Sequence, residues 1–598
     1  MAFSPAAPSS ACFPLSLLSL VGKRHFLLMS THGFSITTAS RQDNNDAWAV
    51  GVTRRSADYK QSNWDYDSLI HSLRAGYAAT DPEANDIKRI EEEINGMLCN
   101  GEMRVTERLE FIDVVQRLGL QRYFDIEIKN ALQMIHNNED YFQLEDADLY
   151  TTALMFRLLR QHGFQVQTDV FKQFMDGRDT FTAESLLSLY EASFYGLAGE
   201  DVMEKARDFA GEHLKAYLTE KGGRCSNGTI TTMKVEHALE MPIHWRPNRL
   251  EARWFMEVYE KEQEMNTALL DFARLDFNMV QSVYRNELSD LARWWVELGL
   301  NKMNISRDRL MELYLWCSSV VYEPQHGACR QPITKMASMI TLIDDVYDIY
   351  GTLDELQLLT NMVERWDAHE IDQLPDAMRV SFMALYETTN RICDWASRDK
   401  GIDVRCYVQK AWADQCRAYL QEATWYHEGI KPTVQQYLEC STTTVGVKIM
   451  LLLIYFLTTD DITQEALDWI SQDPSVIPCT ALICRLNNDL GTSTYELARG
   501  DNVKAVECYM NEAAVTEEVA RRHIEHMVNH AWKAMNEEVL VSKSRIPGSE
   551  YFVEVCMNYA RASQSFDKYG DGHDVEKNHD IDGQVKLVLV EPIPKCSK

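Results

Sequence analysis

From about Trp64 onward, apolar residues recur at three- and four-residue spacing in segments long enough to be helices. Leu149–Leu159 (LYTTALMFRLL) and Ser185–Leu197 (SLLSLYEASFYGL) each lay their apolar side chains along one face of a helical turn. Runs of alternating strands with regular hairpin turns do not occur, so an α/β fold is disfavoured. No fixed-period repeat marks a solenoid. Three stretches interrupt the helical pattern. Lys221–Thr232 (KGGRCSNGTITT) brings three Gly and small polar residues, and Met241–Arg249 (MPIHWRPNR) brings two Pro. Tyr569–Asp582 (YGDGHDVEKNHDID) is polar and aperiodic, and reads as a loop. The second interruption places a domain junction near Leu250, dividing the chain into 43–250 and 251–598. The apolar run Ile449–Leu457 has Lys448 before it and Asp460 after it, and is too short to span a bilayer.

With 598 residues the chain can bury two sizeable cores, and its 45% hydrophobic content and 13 Trp are those of a globular protein. The net charge of −30 argues against a nucleic-acid partner, because phosphate backbones demand a surplus of Lys and Arg. An anionic substrate would have to be met by local cations and metal, against the overall field. Fourteen Cys are scattered without CxxC, which suggests free thiols in a reducing compartment. Residues 1–42 hold no Asp or Glu, are rich in Ser, Ala, Thr and Pro, and carry Lys23, Arg24 and Arg41. That composition fits an organelle transit peptide. A secretory signal built on Phe13–Val21 would need its basic residues before the apolar run, not after it.

Candidate chemistry begins at IDDVYDIYG, which sets Asp344, Asp345 and Asp348 among apolar neighbours. On an α-helix, Asp344 and Asp348 share one face. Carboxylates crowded in this way repel one another, and a hard divalent cation such as magnesium or manganese relieves the conflict. Magnesium keeps positions open for water and phosphate oxygens, so a diphosphate substrate is the first expectation. Downstream, in RLNNDLGTSTYELARGD, Asn488, Thr492 and Glu496 recur every four residues and present an amide oxygen, a hydroxyl and a carboxylate on one face. Arg485 lies one turn before this set and Arg499 just after it. Arg307 and Arg309, in ISRDRL, add guanidiniums suited to phosphate. His523, His526 and His530 stand at helical spacing beside Arg521, Arg522 and Glu525, which reads as a solvated face and not a zinc site. Glu91–Glu93 reads as surface.

These motifs resemble those of plant class I terpene synthases. Asp344–Asp348 is similar to their DDxxD motif, Asn488–Glu496 to their (N/D)Dxx(S/T)xxxE motif, and Arg307–Arg309 to their RDR. Arg54 and Arg55, followed by eight residues and Trp64, resemble the RRx8W signature of the plastidial monoterpene synthases. HWRPNRLEARWF and YGDGH extend the likeness over almost everything after residue 47. Prenyl-elongating synthases carry DDxxD twice, and the second copy is absent here. The resemblance implies an all-α fold of two helical domains, an N-terminal class II-like α-barrel and a C-terminal class I α-barrel. Asp146-Ala-Asp148-Leu149 lacks the final acid of the class II DxDD motif, so the N-terminal domain is expected to be catalytically silent.

The resemblance further implies three magnesium or manganese ions held by Asp344, Asp348, Asn488, Thr492 and Glu496, with Asp345 tying neighbouring cations. Arg307, Arg485 and Arg499 would neutralise the leaving diphosphate, and Arg54 and Arg55 would form a lid with the Tyr569–Asp582 loop. Trp294 or Trp295, more so Trp295, would line the cavity, and the small residues Ser441–Gly446 would break a helix that shapes it. The implied reaction converts geranyl diphosphate to a cyclic monoterpene in the plastid stroma, by a monomer with no membrane partner. The alternatives are an acyclic alcohol product of the linalool type, or farnesyl diphosphate as substrate.

Overall fold

The computed structural model describes residues 62–74, 81–100, 102–138, 148–174, 181–221, 229–300, 306–499, 503–541, 546–568 and 581–594, with the backbone alone for 81–86, 173, 493–499 and 541. Arg54, Arg55, the leader 1–42, Asp146 and residues 569–580 lie outside them. Every described element is helical, as the three- and four-residue apolar spacing predicts.

The helices gather their apolar faces into two large cores. The first is built on Leu109, Phe124, Phe156, Leu158 and Phe171, and the second on Tyr314, Met336, Phe382, Trp412 and the apolar helix Val447–Thr458. Each fully buried side chain of this size contributes about 1.5–3 kcal/mol. The helix Thr267–Leu298 joins the two cores: Leu269, Phe272 and Phe277 enter the first, and Val280, Tyr284, Leu291 and Trp295 enter the second. Asn266 caps its N-terminus by accepting from Leu269 N at 3.1 Å, and Gly299 ends it in the left-handed conformation.

Met241–Arg249 breaks the helical run, as its two Pro predict, and contains a single 3₁₀ turn, Ile243–Trp245. Its last residue, Arg249, reaches Asp276 at 3.3 Å, and Asp276 also takes Arg122 and the Tyr123 hydroxyl. His244 in the same turn meets Asn536 at 2.8 Å, whose amide donates to Phe194 O and Gly196 O at 2.9 Å. The two cores are therefore knitted by buried polar contacts as well as by a shared helix.

Asp148, the surviving acid of the imperfect DxDD stretch, caps the helix Leu149–Gln161, accepting from Thr151 N at 2.9 Å and its hydroxyl at 2.8 Å. The apolar stretch Val434–Thr458 is long enough to cross a membrane by composition, yet most of it is buried inside the protein and it is interrupted at Gly446.

Candidate active site

The aspartate motif occupies the end of the helix Gly327–Asp345, which continues as a π turn over Val346–Tyr350. The Gly351 N–H closes that turn on Val346 O at 2.9 Å. A side chain at Gly351 would collide with Leu356, so glycine permits the closure. The sequence expectation set Asp344 and Asp348 on one regular α-helical face. The wider π winding instead rotates Asp348 relative to that position, a distortion common at functional sites.

Arg307 fastens the first two acids. Its guanidinium donates to Asp344 Oδ2 at 2.8 Å and lies 2.7 Å from Asp345 Oδ1. Asp345 also accepts from Ser306 Oγ at 2.9 Å and from Arg307 N at 2.8 Å, and is buried. Its oxygens therefore serve the Ser306–Arg307 turn. Asp344 and Asp348 keep part of their surface exposed. Burial pushes the Asp344 carboxyl up and the Asp345 charge adds to this, while Arg307, Lys504 and Arg485 pull it down.

The second motif lies on the helix Val476–Arg499. Asn488 accepts from Arg485 at 3.0 Å and points its amide at Asp567, 3.4 Å away, at the end of the helix Ser549–Phe566. The buried Thr492 donates its hydroxyl to Asn488 O at 2.9 Å, leaving the oxygen's lone pairs as acceptors. Glu496 and Arg499 continue the same helix, with side chains outside those described. Asp344 lies within reach of the Lys504 and Arg485 charges, and Arg485 stands on the helix that carries the second motif. Among the described residues, no three His, Cys, Asp or Glu gather as a metal cage. The donor set here is instead mixed, drawing on Asn488 and Thr492 besides the carboxylates. Hard oxygens beside a desolvated carboxylate fit a hard cation.

Several residues here stand outside the four-residue donor period. Asp489 is fully buried and accepts from the Tyr437 hydroxyl at 3.0 Å and Ala505 N at 3.1 Å, with Arg485 at 3.5 Å. It is adjacent to Asn488, and one residue's step around the helix turns it away from the donor face. Burial opposes the Arg485 charge, but Tyr437, Asp489 and Glu422 outweigh it and keep the guanidinium firmly protonated. Burial pushes Glu422 up to about 7, against Lys504 and Arg485. Tyr437, Glu422 and Lys504 come from separate segments, so only the tertiary fold assembles them.

Trp295 is buried in the second core, its indole N–H donating to Asp308 at 2.9 Å; Trp294 is partly buried under Lys335. Trp64, the last residue of the RRx8W signature, donates to Glu312 at 3.2 Å, and the Tyr66 hydroxyl donates to Asp308 at 2.7 Å. Arg309 precedes the helix Leu310–Val320 as its N-cap residue. The Ser441–Gly446 stretch breaks its helix as expected: Val434–Thr444 ends, and Gly446, at φ 78°, starts Val447–Thr458. His526 and His530 are exposed, and His523 stacks on Tyr509 at 3.9 Å. A separate polar cavity of about 790 Å³ lies among Arg117, Arg157, Arg160, Glu251, Glu554 and Arg561, and no residue of Asp344–Asp348 or Asn488–Glu496 lines it.

Comparison with known proteins adds the family. Residues 63–239 match the terpene synthase N-terminal domain, and residues 296–534 match the metal binding domain of the terpene synthase family. The (−)-alpha-terpineol synthase of Vitis vinifera is 43% identical over 554 residues, covering 91% of this chain and 92% of that protein. The chloroplastic myrcene synthase of Quercus ilex is 41% identical, covering 92% of each. The beta-bisabolene synthase of Santalum austrocaledonicum is 39% identical, covering 90% of this chain and 93% of that protein. Limonene synthase crystallised with 2-fluorolinalyl diphosphate superposes with a TM-score of 0.83 at 34% identity, over 91% of this chain and 100% of that one. Isoprene synthase of grey poplar leaves, in complex with three Mg²⁺ ions and dimethylallyl-S-thiolodiphosphate, gives 0.80 at 38% identity, over 89% and 99%. The chain therefore belongs to the terpene synthase family, lyases that act on prenyl diphosphates.

Proposed function

We propose that this enzyme ionises geranyl diphosphate and cyclises the resulting ten-carbon cation to a monoterpene. The observation that carries the reading is the fastening of Arg307 to Asp344, in a basin that also holds Arg485 and Lys504. Asp344, Asp348, Asn488, Thr492 and Glu496 would hold three magnesium ions, the number present in the isoprene synthase complex, with manganese as substitute. Bound there, the metal supplies positive charge against which the diphosphate departs. Arg307, Arg485, Lys504 and Arg499 neutralise the leaving group, so carbon–oxygen cleavage needs no protein nucleophile. Return of diphosphate to the tertiary carbon, bond rotation and renewed ionisation then allow ring closure. Arg54 and Arg55 would form a lid over the site, and Trp64, which ends their signature, donates to Glu312.

Plastid import through residues 1–42 is supported by their composition and by the chloroplastic myrcene synthase. The domain division near Leu250 rests on the Met241–Arg249 break, and the monomer on the sequence resemblance. The beta-bisabolene synthase supports a second reading, farnesyl diphosphate as substrate, and the myrcene synthase supports an acyclic product. The test incubates the chain from Asp43 onward with magnesium and geranyl or farnesyl diphosphate, and identifies volatiles by mass spectrometry. Ten-carbon cyclic products from geranyl diphosphate are expected; efficient turnover of farnesyl diphosphate alone would replace this reading with the second. Asp344→Ala should lower turnover at least about a hundredfold while keeping the helical circular-dichroism spectrum. Undiminished turnover would remove Asp344 from the site.

A further inference from the structure

Asp308 stands between Arg307 and Arg309, and the Arg307 guanidinium turns to Asp344 and Asp345. Asp308 Oδ1 accepts from the Tyr66 hydroxyl at 2.7 Å and the Trp295 indole at 2.9 Å. These two donors satisfy one oxygen of a part-buried carboxylate and fix its direction. Residues 307–309 lie outside any helix, and no ladder of backbone bonds fixes them. Side-chain pins do so from two sides. Asp345 takes Ser306 Oγ at 2.9 Å and Arg307 N at 2.8 Å, while Tyr66 and Trp295 grip the next side chain along. Between the pins, the Arg307 guanidinium reaches Asp344 and Asp345.

We propose that Asp308 is a positioning residue: held by Tyr66 and Trp295, it aims Arg307 at the aspartate cluster and so sets affinity for the diphosphate end of the substrate. This rests on the diphosphate site described under the proposed function. The role links the short helix Tyr66–Ser72, immediately after the RRx8W tryptophan, to the anion-binding arginine through a single carboxylate oxygen.

The test uses the full chain and the variants Tyr66→Phe, Asp308→Ala, Asp308→Asn, Ser289→Ala and Arg307→Lys. Binding of inorganic diphosphate with magnesium is read by titration calorimetry, and KM and kcat are read with geranyl diphosphate. Y66F and D308A should each weaken diphosphate binding about tenfold and raise KM by a similar factor, with kcat changing less. D308N keeps the acceptor oxygen and should stay within about threefold of the parent. In the R307K background the losses should vanish, because both changes act through Arg307. S289A removes the bond from Ser289 to Ile70 O at 2.8 Å, loosening the same short helix without touching Asp308, and should leave binding unchanged.

Losses that persist with R307K, or an S289A loss as large as that of Y66F, would overturn the proposal. If D308A does not fold, Y66F, which removes one hydroxyl, decides alone. A parent that binds diphosphate but turns over no prenyl diphosphate would sink the functional reading, while calorimetry still judges this one.

Discussion

At the residue scale, neighbouring positions in one motif take opposite duties. Asn488 opens onto the basin and Asp489, one residue on, closes inward on Tyr437, Ala505 and Arg485. Removing the Asp489 carboxylate strands a buried hydroxyl, a backbone N–H and part of a buried guanidinium. Asp489→Ala should therefore cost about 3 kcal/mol of unfolding free energy, read by urea titration. Asn488→Ala removes one oxygen donor at the basin and should change stability by less than about 1 kcal/mol while raising the magnesium needed for half-maximal activity. Equal destabilisation by the two variants would mean that the inward and outward assignments are wrong. Sequence alone presents Asn488, Thr492 and Glu496 as a periodic set because helical spacing is a local property. Asp489 shares no period with them, and its partners come from Tyr437 and residues 504–505, so its role exists only after folding. Asp345 is a similar case: the pattern groups it with Asp344 and Asp348, whereas the packed structure turns it to Ser306 and Arg307.

At the element scale, what the apolar pattern conveys is helix existence, and what it omits is how helices end and distort. The pattern cannot register the π turn after Asp345, since that depends on an i to i+5 bond and on the close approach of Leu356 to Gly351. The break at Gly446 is legible from small residues, but its purpose is not. A Cβ there would sit 3.0 Å from Ile340, which lies one turn before Asp344 on the aspartate helix. The backbone at φ 78° adds strain for any L side chain. Gly446→Ala should thus destabilise the protein by about 1–3 kcal/mol and push the aspartate helix away from the break. Thermal melting checks the first effect. The second should appear as an altered ratio of volatile products, because cavity differences of about a methyl group are worth roughly 1–3 kcal/mol in discrimination. A variant with the parent's melting temperature and product ratio would show that the helix contact is slack.

At the scale of the whole molecule, two cores share one long helix and a polar seam, and the seam gives the fold a pH dependence. Glu191 accepts from Ile243 N at 2.8 Å near Arg117 and Arg157, yet burial pushes its carboxyl up to about 7. Glu554, beside Glu323 and Asp125, is likewise pushed up to about 7, first by burial. In the unfolded chain such groups ionise near 4.5. The folded state thus binds protons that the unfolded state has lost, and the sign follows. Their contribution is complete below about pH 4.5 and is lost as pH rises through 7.

Half-buried His162 and buried His244 act oppositely. Desolvation lowers them to about 4 and about 3, so the stability they lend is complete above 6.5 and is lost as pH falls below it. From about pH 6.5 to 8 the histidines are silent, and Glu191, Glu554 and Glu422 titrate together. The melting temperature should fall across that interval. Because Glu191 keeps part of its surface exposed, its share is about 1–2 kcal/mol and not the full shift. Glu191→Gln removes the titration and should flatten the decline by that amount, while Asp148→Asn, at an exposed helix cap, should leave the slope as it is. A parallel decline in the E191Q protein would take Glu191 out of the pH dependence.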